Sequence, residues 1–201
     1  MNFVEQVRLE GRHVTLEPLG PQHEEEIRLA VQDGELWKLF FTTVPSPEAV
    51  GAYISQLLDL RDRGSAFPFA VRDKASGRIV GSTRYLNIDA VNRRVEIGGT
   101  WYAKSMQRSG INTECKLMLL THAFEQLDCI AVEFRTDWFN KRSQAAIERL
   151  GAKLDGILRN HMIMADGRVR DTVVYSIIRN EWPGVKTNLQ FKLEAGASHA
   201  D

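Results

Sequence analysis

One stretch of the chain has the composition of an anion-binding site. It follows an apolar strand pattern and opens a helix pattern, and its residues are Arg108, Ser109, Gly110, Ile111, Asn112 and Thr113. The first turn of a helix presents unpaired N–H groups and the positive end of the helix dipole, which suits a pyrophosphate. Gly110 would let the backbone approach the phosphates, Arg108 adds charge, and the hydroxyls add donors. The stretch predicts a phosphate site, although such a stretch taken alone is more often a plain helix cap.

Other phosphate loops and metal sites do not fit the sequence. GxxxxGK[ST] and GxGxxG are both absent from this stretch. The five histidines lie far apart without HExxH-like spacing, so we predict no metal. Cys115 and Cys129 form no CxxC pair, which predicts buried, reduced thiols. They fall inside a predicted helix and at a strand start, which are poor positions for a nucleophile.

Length and charge narrow the class of protein. The chain has 201 residues, for which one domain is the default. Lys plus Arg is 26 and Asp plus Glu is 26, so the net charge is zero, which argues against general nucleic-acid or membrane-surface binding. No apolar run approaches the ~20 residues that span a bilayer, and the charged first residues do not resemble a signal peptide. We therefore expect a cytoplasmic protein.

Strands and helices alternate along the chain. Periodicity predicts strands at 13–19, 67–72, 78–86, 95–102, 130–136, 157–164 and 169–178. It predicts helices at 24–31, from Pro47 onward, after residue 113 with a stripe of Leu117, Leu120, Phe124 and Leu127, and from Asn140 to Gly151. If Asp166-Gly167 is a two-residue turn, Ile163 lies opposite Arg170. The order predicts a mixed sheet with helices on both faces in residues 1–180, and then a C-terminal helical extension and flexible tail in 181–201.

Two motifs resemble a known family. Gln107-x-x-Gly110-x-Asn112 resembles the Q/R-x-x-G-x-G/A motif of the GNAT superfamily, the acyl-CoA-dependent N-acetyltransferases. The segment from Asn140 to Gly151 resembles the N-x-x-S-x-x-x-x-x-x-x-G segment of the branch that acetylates ribosomal proteins at their N-terminal residue. The resemblance covers roughly residues 11 to 179. Asn112 departs from the motif, which usually has Gly or Ala there.

The resemblance implies a single-domain GNAT-like α+β fold. Its sheet would be mixed and mostly antiparallel, with a central pair of parallel strands that splay apart, one ending at Tyr102 and the other at Thr136. Acetyl-CoA would be the co-substrate, with its pantetheine arm in the gap beside the backbone of Trp101 and Tyr102 and its pyrophosphate on residues 108–113. Gly98-Gly99 fits a bulge with close backbone approach, or simply a weak strand centre.

The resemblance also implies catalytic roles. The residue equivalent to Asn140 contacts the coenzyme, and the one equivalent to Ser143 can protonate the leaving thiolate; as alternatives, the two residues only start a helix. Glu96 lies where similar enzymes often place a general base, although a solvated carboxylate, or one paired with Arg93 or Arg94, is an open alternative. About 16 Å of extended chain separates Glu96 from Trp101, so we expect a water relay.

The loop that would bind the acceptor contains Trp37, Phe40 and Phe41, for which ordinary aromatic packing is the alternative. The function implied is an N-acetyltransferase that moves an acetyl group to a primary amine of a small molecule, an amino acid or a peptide, by direct attack in a ternary complex. A non-catalytic CoA-binding sensor on the same fold is the alternative. With zero net charge we prefer a small amine or a peptide over the ribosome itself. The sequence is compatible with a homodimer and does not require one.

Overall fold

A computed structural model describes residues 3–197. Its one sheet has eight strands in the order β1-β2-β3-β4-β5-β6-β8-β7. The strands are β1 Leu9–Glu10, β2 Val14–Pro18, β3 Phe67–Asp73, β4 Ile79–Asp89, β5 Arg94–Tyr102, β6 Ala131–Asp137, β7 Lys153–Ile163 and β8 Val169–Ile178. All neighbouring pairs are antiparallel except β5 and β6, which are parallel. The predicted mixed, mostly antiparallel sheet is confirmed.

Five α-helices cover the two faces of the sheet. They are α1 Glu24–Gln32, α2 Val50–Asp62, α3 Ile111–Thr121, α4 Lys141–Leu150 and α5 Trp182–Ala197. One buried cluster holds α1 and α2 against Ala70, Ile79 and Trp101 of the sheet. The other cluster holds α3, α4 and α5 against strand residues that point to the opposite face of the sheet, such as Phe69 and Val71. Helices therefore lie on both faces, as the sequence predicts.

The apolar face of α3 includes the predicted stripe and is wider than it. Leu120 and Phe124 are buried, and Leu117 and Leu127 pack partly buried against the same core. Cys115, Leu119 and Ala123 are also fully buried. The helix continues into a π-helical turn over His122–Gln126. A π turn has more residues than an α turn, so it shifts the phase of the buried face relative to a regular pattern.

The β7–β8 connection also differs from the expected two-residue turn. Ile163 lies opposite Val169, and Met162 lies opposite Arg170. The Met164 N–H bonds to the Arg168 carbonyl, which leaves a three-residue loop ending at Gly167 with φ of +81°. A three-residue loop with a left-handed glycine is the next common hairpin after the two-residue turn.

Helix α5 is part of the larger core. Trp182, Val185 and Leu189 are buried in that cluster, and the Trp182 ring stacks on Phe124 with centroids 5.3 Å apart. The Trp182 Nε1–H donates to Glu125 Oε1 at 2.8 Å. The helix runs on to Ala197, past the start of the predicted flexible tail, and residues 198–201 of that tail lie outside the described residues.

Candidate functional site

The parallel strands β5 and β6 separate part-way along their length. They pair only at Arg94–Ala131, Val95–Val132 and Glu96–Glu133. Both strands continue beyond this point, to Tyr102 and Asp137, without further pairing. The predicted gap between two splayed strands is therefore present, and it opens just after Glu96.

A bulge lies in β5 beside this gap. Arg84 of β4 is opposite Gly98, and Ser82 is opposite Trp101. Between these two pairs β5 advances three residues while β4 advances two, so β5 contains one extra residue. Gly99 has a φ of +56°, in the left-handed region. A Cβ atom on Gly99 would lie 2.5 Å from Cζ of Arg84, so this glycine also makes room for the guanidinium. The bulge interpretation of Gly98-Gly99 is confirmed.

At the end of β5, Trp101 and Tyr102 can offer only their backbone to a ligand in the gap. Their side chains are buried in the two opposite cores. The Ala103 N–H donates to the Val80 carbonyl of β4. Because the N–H and C=O groups of successive strand residues point to opposite sides of the strand, those of Tyr102, its peptide edge, point toward the gap. The Tyr102 carbonyl accepts a 3.2 Å hydrogen bond from Gln107 Nε2.

The segment before α3 has the features of an anion site. Gly110 is the N-cap, and no hydrogen-bond partner within residues 3–197 is assigned to the N–H groups of Gly110, Asn112 and Thr113. Arg108 has a φ of +66° and no carboxylate within salt-bridge distance in the described part of the chain. The Ser109 hydroxyl, which was expected as a donor to phosphate, instead donates to the Met106 carbonyl at 2.6 Å.

Gly110 and Ile111 differ in burial. The Ile111 side chain is buried among the residues of the larger core. Gly110 is exposed, and a Cβ atom on it would make an ordinary 3.5 Å contact with the Leu193 side chain of α5. Residue 110 therefore has room for a methyl group.

A link between the two sides of the gap was not predicted from the sequence. The Gln107 side chain that binds the Tyr102 carbonyl also accepts a 3.2 Å hydrogen bond from Arg142 Nη2 in the first turn of α4. The motif singled out Gln107, but nothing in the sequence pairs it with Arg142, 35 residues away.

Asn140 caps α4, as predicted. Its Oδ1 accepts a 3.1 Å hydrogen bond from the Ser143 N–H. Neither the Asn140 amide nitrogen nor the Ser143 hydroxyl has an assigned partner among residues 3–197. Both groups follow the end of β6, on the far side of the gap from β5. The cap and a second role toward a ligand are therefore compatible.

The Glu96 carboxylate lies nearer the bulge than chain length suggests. Its Oε1 is 2.9 Å from the position that a Cβ atom on Gly98 would take, so the side chain lies along the strand toward the bulge. The carboxylate accepts a 2.7 Å hydrogen bond from Asn87 Nδ2 and lies 3.6 Å from Arg135 Nε. Burial raises the pKa of Glu96 despite the nearby Arg135. The solvated carboxylate considered as an alternative is wrong, because Glu96 is buried.

The three aromatic residues of the predicted acceptor loop do not act as one group. Trp37 packs partly buried against the α1–α2 core. Phe40 is 54% exposed and lies edge-on to Phe41, with centroids 5.0 Å apart. Phe40 also lies 6.2 Å from the ring of Phe139, which follows β6. Phe40 is thus the aromatic residue that brings this loop to the gap.

Comparison with known proteins settles the family. The Acetyltransferase (GNAT) domain family matches residues 13–153, which is most of the chain. The chain belongs to the GNAT acetyltransferase family. A relative of this GNAT acetyltransferase in Bacillus subtilis (strain 168) is named "Putative ribosomal N-acetyltransferase YdaF". It is 30% identical over 88% of this chain and 97% of its own length.

Solved structures share the fold of this GNAT acetyltransferase. A GCN5-related N-acetyltransferase from Brucella melitensis is 33% identical with a TM-score of 0.82, covering 94% of this chain and 86% of that one. RimL, a ribosomal L7/L12 alpha-N-protein acetyltransferase in complex with coenzyme A, has a TM-score of 0.72 at 20% identity, covering 86% and 98% of the two chains. The second likeness shows the fold alone.

Two further findings concern residues 3–197 of this GNAT acetyltransferase. They contain no group of three or more His, Cys, Asp or Glu side chains that could hold a metal ion. None of the helices among them is both long enough and apolar enough to cross a membrane.

Proposed function

We propose that this GNAT acetyltransferase transfers the acetyl group of acetyl-CoA to a primary amine, by direct attack of the amine in a ternary complex. The observation that carries the proposal is the place of Glu96. Its buried carboxylate lies against the β5 bulge at the point where β5 and β6 part. A base is needed there because an amine is mostly protonated near pH 7.

The residues around the gap fit coenzyme A. The N–H groups of Gly110, Asn112 and Thr113 and the guanidinium of Arg108 would bind the pyrophosphate. The peptide edge of Tyr102 would bind the pantetheine amides in the gap between the strands. The Asn140 amide nitrogen, which its helix cap does not use, is available to the same arm. Bound in this way, acetyl-CoA supplies the thioester to be cleaved.

The residues then divide the proton transfers. Glu96 takes one proton from the acceptor ammonium, so that the neutral amine can form the C–N bond. The Tyr102 N–H donates to the carbonyl oxygen while it carries negative charge. As the C–S bond breaks, the Ser143 hydroxyl protonates the leaving thiolate, and the second proton that the attacking nitrogen loses restores the hydroxyl. A raised pKa suits Glu96 for its role because a more basic carboxylate accepts a proton more readily.

A peptide N-terminus is the acceptor class that we favour, with small amines and amino acids as the other candidates. The B. subtilis relative carries the name of a ribosomal N-acetyltransferase, and the zero net charge of this chain gives it no general attraction for RNA. Free peptides therefore fit better than the assembled ribosome. Cytoplasmic location and a homodimer stay predictions.

An acceptor screen tests the proposal. Release of the CoA thiol is measured with acetyl-CoA and a panel of peptides, free amino acids, polyamines and aminoglycosides. Amine-dependent release with mass-confirmed N-acetylation of the acceptor supports the proposal. Tight CoA binding by calorimetry without turnover of any amine on the panel would favour a CoA sensor instead.

A further inference from the structure

The face of the sheet that carries Glu96 also carries charged side chains from β6 and β8. Strand register places Glu96, Glu133 and Arg135 on this face, and Arg170 follows on β8. Most of these charges are paired. Arg135 lies 2.9 Å from Glu133 and 3.6 Å from Glu96.

Arg170 is the most loosely paired of them. Its side chain is only 14% exposed, and its Nε has neither solvent contact nor a hydrogen-bond partner in residues 3–197. The nearest carboxylate oxygen, Asp137 Oδ2, is 4.0 Å away, which is beyond hydrogen-bond range. That oxygen already accepts a 3.0 Å hydrogen bond from Arg168. Burial lowers the pKa of Arg170, which agrees with a guanidinium whose loss of water is only partly compensated by nearby carboxylates.

A second guanidinium on this face, that of Arg84, has no carboxylate within salt-bridge distance among the described residues. Arg84 lies over Gly99 of the bulge, where a Cβ atom would meet its Cζ at 2.5 Å. Its one assigned hydrogen bond is a 3.3 Å contact with the Tyr53 hydroxyl, and its buried Nε has no partner among the described residues. Arg84 is on the bulge side of Glu96, and Arg170 is on the β8 side.

Buried guanidinium donors without acceptors are unfavourable, since each loses water without gaining a protein partner. Such a planar donor fork matches a carboxylate or a phosphate. Arg170 is close enough to Glu96 for their charges to interact, and Arg84 lies over Gly99, next to the glycine that the Glu96 carboxylate approaches. An anion bound by either arginine would therefore belong to a molecule near Glu96.

We propose that Arg170, with Arg84 as a second donor, binds an anionic group of the acceptor, so that the preferred acceptor is an amine that also carries a carboxylate or a phosphate. This inference rests on the proposed function, because it assigns the acceptor to the Glu96 face. It goes beyond it by naming a recognition element that the acceptor must have.

Matched acceptors test the proposal. We compare pairs of short peptides that differ in one side chain near the free N-terminus. One pair has Asn or Asp and tests the carboxylate, and the other has Ser or phosphoserine and tests the phosphate. We expect kcat/KM about tenfold or more higher for the anionic member of at least one pair, which is the size of a charge-assisted hydrogen bond. The pair with the larger ratio identifies which anion is used.

Two variants and a control test which arginine causes the preference for anionic peptides. Arg170→Gln should lower the anionic-to-neutral ratio about tenfold, and Arg84→Gln should lower it less. Arg159→Gln is the control, because Arg159 is 79% exposed in the same hairpin and pairs with Asp171. Its ratio should equal that of the wild type. Melting temperatures of all three variants verify folding.

The outcomes separate the two proposals. If peptides are acetylated without an anionic preference, or if Arg170→Gln keeps the preference, the anion site is wrong and the proposed function stands. If no peptide is acetylated, the proposed function fails for peptides. Calorimetric binding of the same peptides to the CoA-bound protein then decides the anion site, and equal affinities of the paired peptides would overturn it.

Discussion

Arg168, at the start of β8, donates a 3.0 Å hydrogen bond to Asp137 at the end of β6. The same Nη2 atom donates to the carbonyl of Phe40 at 3.2 Å, and the guanidinium lies 5.0 Å from the Phe40 ring centroid. Asp137 is 1% exposed. One arginine therefore joins the predicted acceptor loop, the end of a central strand and the β7–β8 turn.

Loss of this junction should affect the acceptor more than the coenzyme. We expect Arg168→Gln to raise the KM of the acceptor about tenfold, because a charge-assisted hydrogen bond that positions the Phe40 loop is lost. The KM of acetyl-CoA should change less than twofold. Steady-state kinetics with Arg159→Gln as the control measure both constants. Equal changes in both KM values would contradict a role confined to the acceptor loop.

Arg108 should contribute to CoA affinity through the phosphates. Arg108→Gln is expected to weaken CoA about three- to tenfold in calorimetry, with a smaller loss at high salt, because the interaction is between exposed charges. Acetylpantetheine, which lacks the pyrophosphate, should bind the variant and the wild type equally. A loss of affinity for acetylpantetheine would show instead that the loop has changed shape.

Gly110→Val should weaken CoA strongly. A methyl group has room beside Leu193, but a branched side chain would block the close approach of the phosphates to the backbone of the helix start. Gly110→Ala is the matched control and should keep most of the affinity. If both variants bind CoA with wild-type affinity in calorimetry, the phosphate site is not at this helix N-terminus.

Ser143 and Asn140 make separable predictions. Ser143→Ala should lower kcat by about 10²-fold if its hydroxyl protonates the thiolate, with little change in acetyl-CoA affinity. Asn140→Ala should lower the free energy of unfolding by ~1 kcal/mol, because the cap on Ser143 N–H is lost. It should also weaken CoA binding. An unchanged kcat for the first variant, or a purely thermal effect for the second, would leave these residues as helix-start residues.

The pH profile should report Glu96. Because its pKa is raised, the carboxyl group becomes a base only above the ordinary range of a glutamate, and the rate should rise through that pKa. Glu96→Gln should remove this rise and depress the rate most just above the raised pKa of Glu96, where the wild-type carboxylate is ionised and free amine is still scarce. The loss should shrink as the pH approaches the pKa of the acceptor amine. A loss that is uniform across pH would indicate altered packing.

Lys116 of α3 should make stability depend on pH. The ammonium is buried, donates to Thr100 Oγ1 at 2.6 Å, and has no carboxylate within 4 Å among residues 3–197. Burial lowers its pKa from 10.5 to about 8. Between those values the unfolded chain binds more protons than the folded one, so stability from this group rises with pH; below pH 8 the full penalty is present.

Lys116→Met removes that penalty. We expect the variant to unfold at a higher temperature than the wild type at pH 7, and the difference to shrink between pH 8 and 9. Above pH 9 the buried Cys115, whose pKa is raised to about 12, acts in the opposite direction, but it does so in both proteins. A difference in melting temperature that stays constant from pH 7 to 9 would show that Lys116 is not the titrating group.

The sequence predicts the local features of the site better than the long-range ones. The cap at Asn140, the bulge at Gly98-Gly99 and the strand ends follow from short patterns whose geometry is set within a few residues. The position of Arg170 without a hydrogen bond to its Nε does not, since its surroundings depend on β6 and on a strand register broken between Leu158 and Met162. The direction of the Glu96 side chain could not be predicted, because chain length gives the distance between backbones and not the direction of a side chain.

The packing of α5 gives the protein an order of assembly. The core that supports α3 is closed by Trp182, Val185 and Leu189, which are synthesised after every strand of the sheet. On a nascent chain the opposite core, formed by α1, α2 and the first strands, has all its residues long before this one. The core that packs α3, α4 and α5 is thus the last to be completed, and its apolar surface stays exposed on the nascent chain until α5 has been synthesised.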